Sequence, residues 1–342
     1  MTPLSDLGQF ALIEHLTDSF PLRNQSSVKG IGDDGAVVGS EETKTIINTH
    51  ILAEGIHFDI TYTNLKHLGY KTVAIGLSGI AAMNGKPEQV MIGLAVSSRY
   101  SVEALEELYA GIRLCCERYK VDLVGGDMTS SRSGLVITIT AIGTGEQGHI
   151  TYRSGAKEHN LICVSGDLGS AYSGLLVLQR EKATFDADPN FRPDLHGYEH
   201  VLERWLKPEP RIDIVQLLAR EGIVPTSMID VSDGLASEML HICQQSQCGC
   251  EVYEERIPID YQTTRVCSEL SPNMLPVSNA LNGGSDYELL FTIDLKDYEK
   301  VKELSDIHII GHITEKGMPA VMVTPQNSTI ELHAQGWESS SK

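Results

Sequence analysis

The chain has 342 residues, of which 41% are hydrophobic and 21% charged, a composition typical of a soluble globular protein long enough for two domains. Its formal net charge of −19 argues against a broad interaction with nucleic acid or a membrane surface, because such contacts need clustered Lys and Arg. Phosphate ligands remain open, since bound cations can bridge acidic side chains to acidic substrates.

The cysteines and the N-terminus indicate a cytoplasmic protein. Seven cysteines, an odd number in a long chain, predict reduced thiols and no disulfide framework. Cys243, Cys248 and Cys250 lie close in sequence but lack the paired C-x-x-C spacing of a metal site. The N-terminus has no basic segment followed by an apolar run, and no apolar run reaches the ~18 residues of a membrane span.

Helices and strands alternate over the first part of the chain, but the early strands do not form one regular parallel series. This order predicts a mixed α/β or α+β domain over residues 1–148. The first predicted element is a helix that Ser5 caps, with Phe10, Ile13, Leu16 and Phe20 on one face. The elements that follow are strands at 36–38 and 45–51, a helix at 65–82 and a strand at "QVMIGLAVS". The last are an amphipathic helix that Ser101 caps, a short buried strand at "VDLV" and a long alternating strand at "GLVITITAIGTG".

The stretch "TGEQGHITYRSGAK" predicts the junction with a second, α+β domain over residues 149–342. A polar, Pro-containing segment at 182–200 predicts a long surface connection. The other predicted elements of this domain are a strand at "NLICVSG", a helix at 170–180, a helix after Pro210, a strand at 227–229, a helix at 235–245, and a group of short strands over 287–332.

Four acidic turns suggest chemistry. They are "GDDG" at 32–35, "GGD" at 125–127, "DVSDG" at 230–234 and "GGSDYE" at 283–288. Glycine lets the backbone turn sharply and approach a ligand, and an Asp at the end of a strand can point an oxygen at Mg²⁺. Because Asp-Gly and Gly-Asp pairs are also ordinary turn sequences, each turn alone is weak evidence. The sequence has no Walker-type phosphate loop and no H-R-D kinase signature, so a nucleotide enzyme here needs another phosphate cradle.

Eight further segments can be compared as a set. They are "GIGDDGAVV", "EGIHFD", "LGYKTVAIGLSGIAAMNGKP", "VDLVGGDMTSS", "YRSGAK", "SMIDVSDGL", "LNGGSDYELLFT" and "QGW". In this order and spacing they resemble the thiamine-monophosphate kinase family over nearly the whole chain. The resemblance implies an aminoimidazole-ribonucleotide-synthetase-like fold, with an N-terminal α/β domain that dimerises through its sheet and a C-terminal α+β domain with a mixed sheet and helices. It also implies ATP bound with several Mg²⁺ ions between the domains, and transfer of the γ-phosphoryl group to thiamine monophosphate, the final step of thiamine diphosphate biosynthesis.

The resemblance also implies roles for individual residues. The aspartates among the metal contacts are expected to converge on one site, since a core would not bury four carboxylates without cations. The implied metal contacts are Asp34, Asn48, Thr49, His50, Asp127, Asp230 and Asp233, the ATP contacts are Gly126, Asp127, Arg153 and Ser232, and the substrate contacts are His57, Ser285 and Trp337.

Three positions depart from the family pattern. His50 and Gly79 stand where the family usually has Asp, and Ser285 stands where it usually has Glu. The first two changes would remove metal ligands, since Gly79 has no side chain and imidazole suits Zn²⁺ or Mn²⁺ better than Mg²⁺. We therefore expect ATP binding to persist with weak phosphoryl transfer, and His50→Asp together with Gly79→Asp to strengthen that transfer.

Two other functions stay open from the sequence. The first is a non-catalytic or weakly active homologue that binds nucleotide or thiamine phosphate, which the changes at His50, Gly79 and Ser285 favour. The second is another activity of the superfamily, such as selenophosphate synthesis. That chemistry relies on a reactive Cys near the N-terminus, whereas the first Cys here is Cys115 in a predicted helix.

Overall fold

The structure, a computed structural model, describes residues 9–17, 22–39, 43–188, 190, 192–270 and 274–334. After a first helix, α1 (Gln9–Thr17), the first half of the chain forms a six-stranded sheet. Its strand order is β1 (Ser27–Lys29), β2 (Ala36–Val38), β3 (Thr43–Ala53), β6 (Val136–Glu146), β4 (Lys86–Ser97) and β5 (Asp122–Ser131). Strand β6 pairs antiparallel with both β3 and β4, so the long strands predicted at "QVMIGLAVS" and "GLVITITAIGTG" are neighbours in one sheet.

The two faces of this sheet have different environments. Along β6, Ile137 and Ile139 are fully buried on the face that the helix α2 (Leu65–Ala81) covers. Thr138 lies between them and is exposed on the opposite face, because successive side chains of a strand point to opposite sides. We call this opposite side, which none of the described helices covers, the open face.

Helix α3 (Val102–Tyr119) packs against α2, and the contact depends on two glycines. A Cβ at Gly69 would overlap the carbonyl oxygen of Leu108, and one at Gly111 would overlap that of Lys66. The helix starts as predicted, since Ser101 accepts a hydrogen bond from the amide of Ala104 at 3.3 Å. In α1, by contrast, Ile13 and Leu16 are exposed, and the predicted Ser5 and Phe20 lie outside the described residues.

Strand β5 corrects a prediction. Val121 of "VDLV" is buried and precedes the strand, whereas Asp122, Leu123 and Val124 begin a ten-residue strand at the edge of the sheet and are exposed. Only β4 pairs with β5 among the described strands, so Leu123 and Val124 are 43% and 55% exposed. The apolar residues of this segment had predicted a buried strand. A long apolar strand at the edge of a sheet is, however, also a typical surface for pairing with another chain.

The second half forms a seven-stranded mixed sheet with helices on both faces. Its strand order is β13 (Thr329–Glu331), β12 (Ala320–Val323), β9 (Gly249–Tyr253), β11 (Ile307–Thr314), β7 (Leu161–Ser165), β10 (Leu289–Ile293) and β8 (Ser227–Asp230). Strands β9 and β12 run parallel, whereas β7, β8, β10 and β11 pair antiparallel with their neighbours. On β7, Ile162 and Val164 belong to one core cluster and Cys163 between them belongs to another, which shows that both faces are covered.

The helices of this half differ from the prediction in two places. Helix α4 continues past residue 180, because the segment 181–187 has good helix formers and no Gly or Pro. Helix α5 (Glu199–Leu206) begins within the last two residues of the predicted surface connection, and its Val201 and Trp205 pack against α4. The helices are α4 (Ser170–Ala187), α5 (Glu199–Leu206), α6 (Ile212–Arg220), α7 (Leu235–Ser246), α8 (Tyr261–Leu270), α9 (Pro276–Asn282) and α10 (Tyr298–Val301).

Hydrogen bonds connect the first half of the chain to the second half. Tyr70 and Tyr119 both donate to the carboxylate of Glu209, and the ammonium of Lys71 donates to the carbonyl of Trp205 at 2.9 Å. The predicted domain boundary at 148/149 stays a prediction, although the first sheet ends at 146 and the second begins at 161. Within the described ranges, no helix has the length and apolar character that a membrane crossing needs.

Candidate metal and nucleotide site

Two loops of the second half lie against each other and carry predicted site residues. The turn 230–234 follows β8 and the loop 283–288 leads into β10, so both extend an existing strand pair. The amide of Ser285 donates to the carbonyl of Ser232 at 2.7 Å, and that of Tyr287 donates to Val231 at 2.9 Å. Gly284, with a φ of +67°, packs so closely that a Cβ would overlap the Ser232 carbonyl. Ser232 and Ser285, the predicted ATP and substrate contacts, are therefore neighbours.

Four carboxylates from both halves of the chain meet beside these loops. We call them the acid cluster: Asp34, Asp230, Asp233 and Glu238. The Asp34 side chain is 5% exposed, Asp230 is 4% exposed and Glu238 is 1% exposed, whereas Asp233 reaches the surface. The turns 32–35 and 230–234 thus come together, as the sequence predicted.

Hydrogen bonds fix the two most buried aspartates of the cluster. Nη2 and Nε of Arg153 donate to the two carboxylate oxygens of Asp34 at 2.5 and 3.3 Å. The backbone amide of Arg153 donates to Asp33 at 2.7 Å, so this predicted ATP contact is anchored on the turn 32–35. The hydroxyl of Ser78, on α2, donates to Asp230 at 2.5 Å.

The acid cluster holds more negative charge than its arginine offsets. Burial raises the pKa of Asp34 to about 6, with a further contribution from Asp230, although the Arg153 charge opposes the rise. Burial raises the pKa of Asp230, and burial and then Asp233 raise the pKa of Glu238 well above its ordinary value. Groups that resist ionisation in this way are suited to a bound cation, which would supply the missing positive charge.

Glu238 is a member of the cluster that the sequence reasoning missed. It lies in the first turn of α7, where an acidic residue is common and most often faces solvent. Here its Oε1 accepts hydrogen bonds from the amides of Ser232 and Asp233 at 3.2 and 2.9 Å. The signal in the sequence was the position of Glu238 five residues after Asp233. A side chain in the first turn of a helix can fold back and accept hydrogen bonds from the amides of the preceding turn.

Strand β3 divides the predicted metal contacts between its two faces. Asn48 faces α2, where its Nδ2 donates to the carbonyl of Gly76 at 3.1 Å. His50, two residues on, shares that face, and burial lowers the pKa of its ring while Asp34 and Asp233 oppose the change. Thr49 points to the open face, where Thr140 donates to its hydroxyl at 3.3 Å. Asn48 and His50 therefore border the acid cluster, and Thr49 does not.

The turn "GGD" lies apart from the acid cluster within one chain. Asp127 pairs with Gly93 on β4, and β4 and β6 separate it from β3, a span of about 14 Å at ~4.8 Å per strand. Its register places it on the open face with Thr138. The expected convergence of four aspartates therefore holds for three and is wrong for Asp127 in a single chain. Gly126 has a structural reason to be glycine, since a Cβ would overlap the carbonyl oxygen of Ile92.

Two of the three predicted substrate contacts, His57 and Ser285, lie in the described residues and are not buried. His57 is exposed, and its Nδ1 accepts a hydrogen bond from the amide of Ala53 at 3.0 Å. Ser285 adopts a left-handed φ of +61° beside Ser232. Trp337 falls outside the described residues, so its role stays a prediction.

The chemistry of the acid cluster fits Mg²⁺ shared with a nucleotide. Among the described side chains, no group of three or more His, Cys, Asp or Glu is arranged to hold a metal ion by itself. Mg²⁺ usually takes one or two carboxylates and completes its shell with waters and substrate phosphates, so such a closed group is not needed. The oxygen donors, their burial and their raised pKa values all match that kind of site.

Comparison with known proteins shows the family to which the chain belongs. The family described as AIR synthase related protein matches with its N-terminal domain at residues 32–145 and with its C-terminal domain at 157–324. A thiamine-monophosphate kinase of Bacillus subtilis (strain 168) is 31% identical over 337 residues, covering 97% of this chain and 99% of that protein. One from Haemophilus influenzae is 34% identical over 324 residues, covering 91% of this chain and 90% of that protein.

Solved structures show the same likeness in three dimensions. AaThiL complexed with AMPPCP and TMP has a TM-score of 0.82 and 28% identity, and the match covers 98% of both chains. The thiamine monophosphate kinase of Aquifex aeolicus has a TM-score of 0.77 and 26% identity, covering 96% of this chain and 100% of that one. Because these matches run the length of the chain, it belongs to the thiamine-monophosphate kinase family, within the AIR synthase related proteins.

Proposed function

We propose that the protein transfers the γ-phosphoryl group of ATP to thiamine monophosphate and so forms thiamine diphosphate. The observation that carries the proposal is the acid cluster, which acidic turns from both halves build in a chain of this kinase family. The reaction is the final step of thiamine diphosphate biosynthesis. We expect it in the cytoplasm, where the seven free thiols would stay reduced.

The acid cluster would bind Mg²⁺ together with ATP. Asp34, Asp230 and Asp233 would hold the cation, with Asn48 and His50 at the border. When bound, Mg²⁺ offsets the charge that develops on the transferred phosphoryl group, and phosphoryl transfer needs positioning more than covalent work by the protein. Arg153 is held in a fixed direction by Asp34 and can contact a phosphate oxygen without first ordering its own side chain.

His57 is suited to donate to an anionic acceptor. Its Nδ1 is an acceptor for the Ala53 amide, which leaves the proton of the neutral ring on Nε2. Partial burial lowers the pKa of the ring, and Lys71 adds to the effect, so the ring is neutral near pH 7. Nε2–H is then a single, directed donor for a phosphate oxygen of thiamine monophosphate. Ser285 and Trp337 complete the substrate contacts in this proposal.

The proposal includes a homodimer formed through the open face. This face and the edge strand β5 carry exposed apolar side chains, which are Ile51, Met91, Leu123, Val124 and Met128. A second copy covering them would also meet Thr49 and Asp127, which one chain leaves away from its own acid cluster. Asp127 and Gly126 would then contact the metal and ATP of the partner site. A monomer by light scattering at micromolar concentration contradicts this part.

The test of the proposed reaction is transfer of label from γ-labelled ATP to thiamine monophosphate, with Mg²⁺ and again with Mn²⁺. We expect labelled thiamine diphosphate from the native chain and a loss of at least ~100-fold in Asp230→Asn, because one well-placed cation contributes several kcal/mol. Asp294→Asn is a matched control, since Asp294 is exposed and caps a distant helical turn through Lys296. No product above the protein-free reaction with either metal overturns the proposal.

A second function, binding without turnover, is favoured by one observation. Position 79 has no side chain and position 50 has a neutral one, so the acid cluster offers fewer charges to cations than the family pattern implies. Equilibrium binding of ATP and thiamine monophosphate in the same buffers separates the two functions. Binding of both ligands with no labelled product supports the second function, and labelled product rules it out.

A further inference from the structure

Gly79, on α2, faces the side chain of Asn48 across the contact between helix and sheet. A Cβ at position 79 would overlap Nδ2 of Asn48 and lie 3.1 Å from its Cγ. Real Cβ atoms essentially never come within 3.0 Å of a neighbouring atom, so the Asn48 amide fills the space into which a residue at 79 would extend. Asn48 is 5% exposed and its Nδ2 is bonded to the Gly76 carbonyl, which holds the amide in that space.

This pair of residues borders the acid cluster. The same Cβ at position 79 would lie 3.4 Å from the backbone oxygen of Asp34. Ser78, the next residue of the helix, donates to Asp230 at 2.5 Å. His50 shares the face of β3 with Asn48 and lies within electrostatic reach of Asp34 and Asp233. The Asn48 amide thus packs against α2, close to the backbone of the turn that carries Asp34.

One atom of this amide lacks a partner. Oδ1 of Asn48 is buried and has no hydrogen bond from any described residue. Nδ2 is committed to Gly76, so the orientation of the amide is fixed and Oδ1 is the free acceptor. A buried acceptor without a partner is unfavourable unless a ligand supplies one, and a carboxamide oxygen is a common ligand of hard divalent cations.

We propose that Asn48 is a specificity-determining residue of the cation site, and that Gly79 is the space it requires. In this proposal Oδ1 of Asn48 is a neutral oxygen ligand of the cation, and it takes the place of a side chain at position 79. The inference rests on the proposed function in one respect, because the cation is the one that would accompany ATP. It also revises the expectation from the sequence, since Gly79→Asp would require the Asn48 side chain to leave its position against Gly76.

The first experiment measures Mn²⁺ binding to the purified, metal-free chain from the spin-resonance signal of free Mn²⁺. Asn48→Leu keeps the side-chain size and removes the oxygen, and we expect it to weaken Mn²⁺ binding by at least ~10-fold. Asn48→Asp adds a carboxylate at the same place and is expected to tighten binding. Asn279→Leu is the matched control, because Asn279 is also buried with an unpartnered Oδ1 but faces Ser173 on α4. Equal Mn²⁺ binding by the native chain and Asn48→Leu overturns the proposal, as does no Mn²⁺ binding by the native chain.

The second experiment uses thermal unfolding without metal to test whether the side chains at positions 48 and 79 compete for the same volume. Gly79→Ala should lower the Tm of the native chain by roughly 3 °C or more, because its Cβ overlaps the Asn48 amide. In an Asn48→Ser background the same change should raise the Tm, because Ala is the better helix former and the space is then free. A loss of equal size in both backgrounds overturns the steric part of the proposal.

These readouts separate the inference from the proposed reaction. Mn²⁺ binding that depends on Asn48, in a chain that forms no thiamine diphosphate, supports the inference and overturns the reaction. Normal formation of thiamine diphosphate, with Mn²⁺ binding unchanged in Asn48→Leu, supports the reaction and overturns the inference.

Discussion

Two groups of charged side chains lie near the loop 283–288, and they differ in the balance of acidic and basic residues. The acid cluster has four carboxylates and one arginine, Arg153. The second group, which we call the charged network, consists of Asp167, Glu288, His200, Arg204 and Arg211. In the network Glu288 receives Arg204 at 2.7 Å and Arg211 from its other side.

The titration of the two groups differs between Asp167 and Asp34, although beside the charged network burial raises the pKa of Asp286 to about 7 against the charge of Arg204. Burial works against ionisation of Asp167, but hydrogen bonding to His200 and the charge of Arg204 outweigh it and lower the pKa of Asp167 to about 2. In the acid cluster burial prevails and raises the pKa of Asp34 to about 6. The same residue types thus stabilise the fold where their charges are matched, and they form a candidate ligand site where they are not.

The largest change in the free energy of unfolding is expected when a cation is removed from the charged network. Arg204→Met should lower the free energy of unfolding by about 3–5 kcal/mol, because it leaves Glu288 buried with one cation fewer. Arg265→Met is the control on the surface, where solvent screens the pair with Glu269 and its loss should have a much smaller effect. Denaturant unfolding of both variants measures the difference. Equal losses in the two variants would mean that the network is no more important than a surface ion pair.

The second prediction concerns pH and the acid cluster without metal. The folded pKa of Asp34, about 6, lies above the unfolded value of 3.8, so the folded state binds the proton more tightly. Its favourable contribution is therefore complete below about pH 4 and is lost as the pH rises to about 6, a change of roughly 3 kcal/mol. Asp34→Asn should flatten this part of the stability curve, and Mg²⁺ with ATP should reverse the loss in the native chain. A native curve with the same slope as Asp34→Asn between pH 4 and 6 would contradict it.

Local patterns in the sequence predicted much of the fold. The alternation of β6 predicted a strand with one buried face, and Ser101 marked the start of α3. Asp34, Asp230 and Asp233 could be singled out because each lies in a Gly-containing turn near a strand end, although strand pairing was needed to show that they meet.

Properties that depend on strand pairing could not be predicted from the local sequence. Thr49 and Asp127 were grouped with the acid cluster, but strand register places both on the open face. The exposure of β5 depends on its position at the sheet edge, which its own apolar sequence does not reveal. Glu238 looked like a surface residue of a helix, and only the fold of the turn 230–234 buries it.

The third prediction removes charge from the acid cluster without removing its hydrogen bonds. Glu238→Gln keeps Oε1 as the acceptor for the amides of Ser232 and Asp233. Without divalent cations at pH 7 we expect it to raise the free energy of unfolding by about 1 kcal/mol, since it relieves repulsion among buried carboxylates. Glu299→Gln, at an exposed pair with Lys302, should change it by less than about 0.5 kcal/mol. Destabilisation by Glu238→Gln in thermal and denaturant unfolding would indicate that the cluster is already balanced.

The smallest effect is expected at Ser285, in the loop that joins the two groups. Its φ of +61° is a conformation that glycine adopts without steric cost, so Ser285→Gly should stabilise the chain by about 0.5 kcal/mol after the larger entropy of an unfolded glycine is deducted. Ser278→Gly, inside α9, should have the opposite sign and cost about 0.5–1 kcal/mol. Because Ser285→Gly changes no charge, the pH dependence attributed to Asp34 should be the same in this variant and in the native chain. If instead that dependence changed, the loop geometry and not the count of charges would set the difference between the two groups.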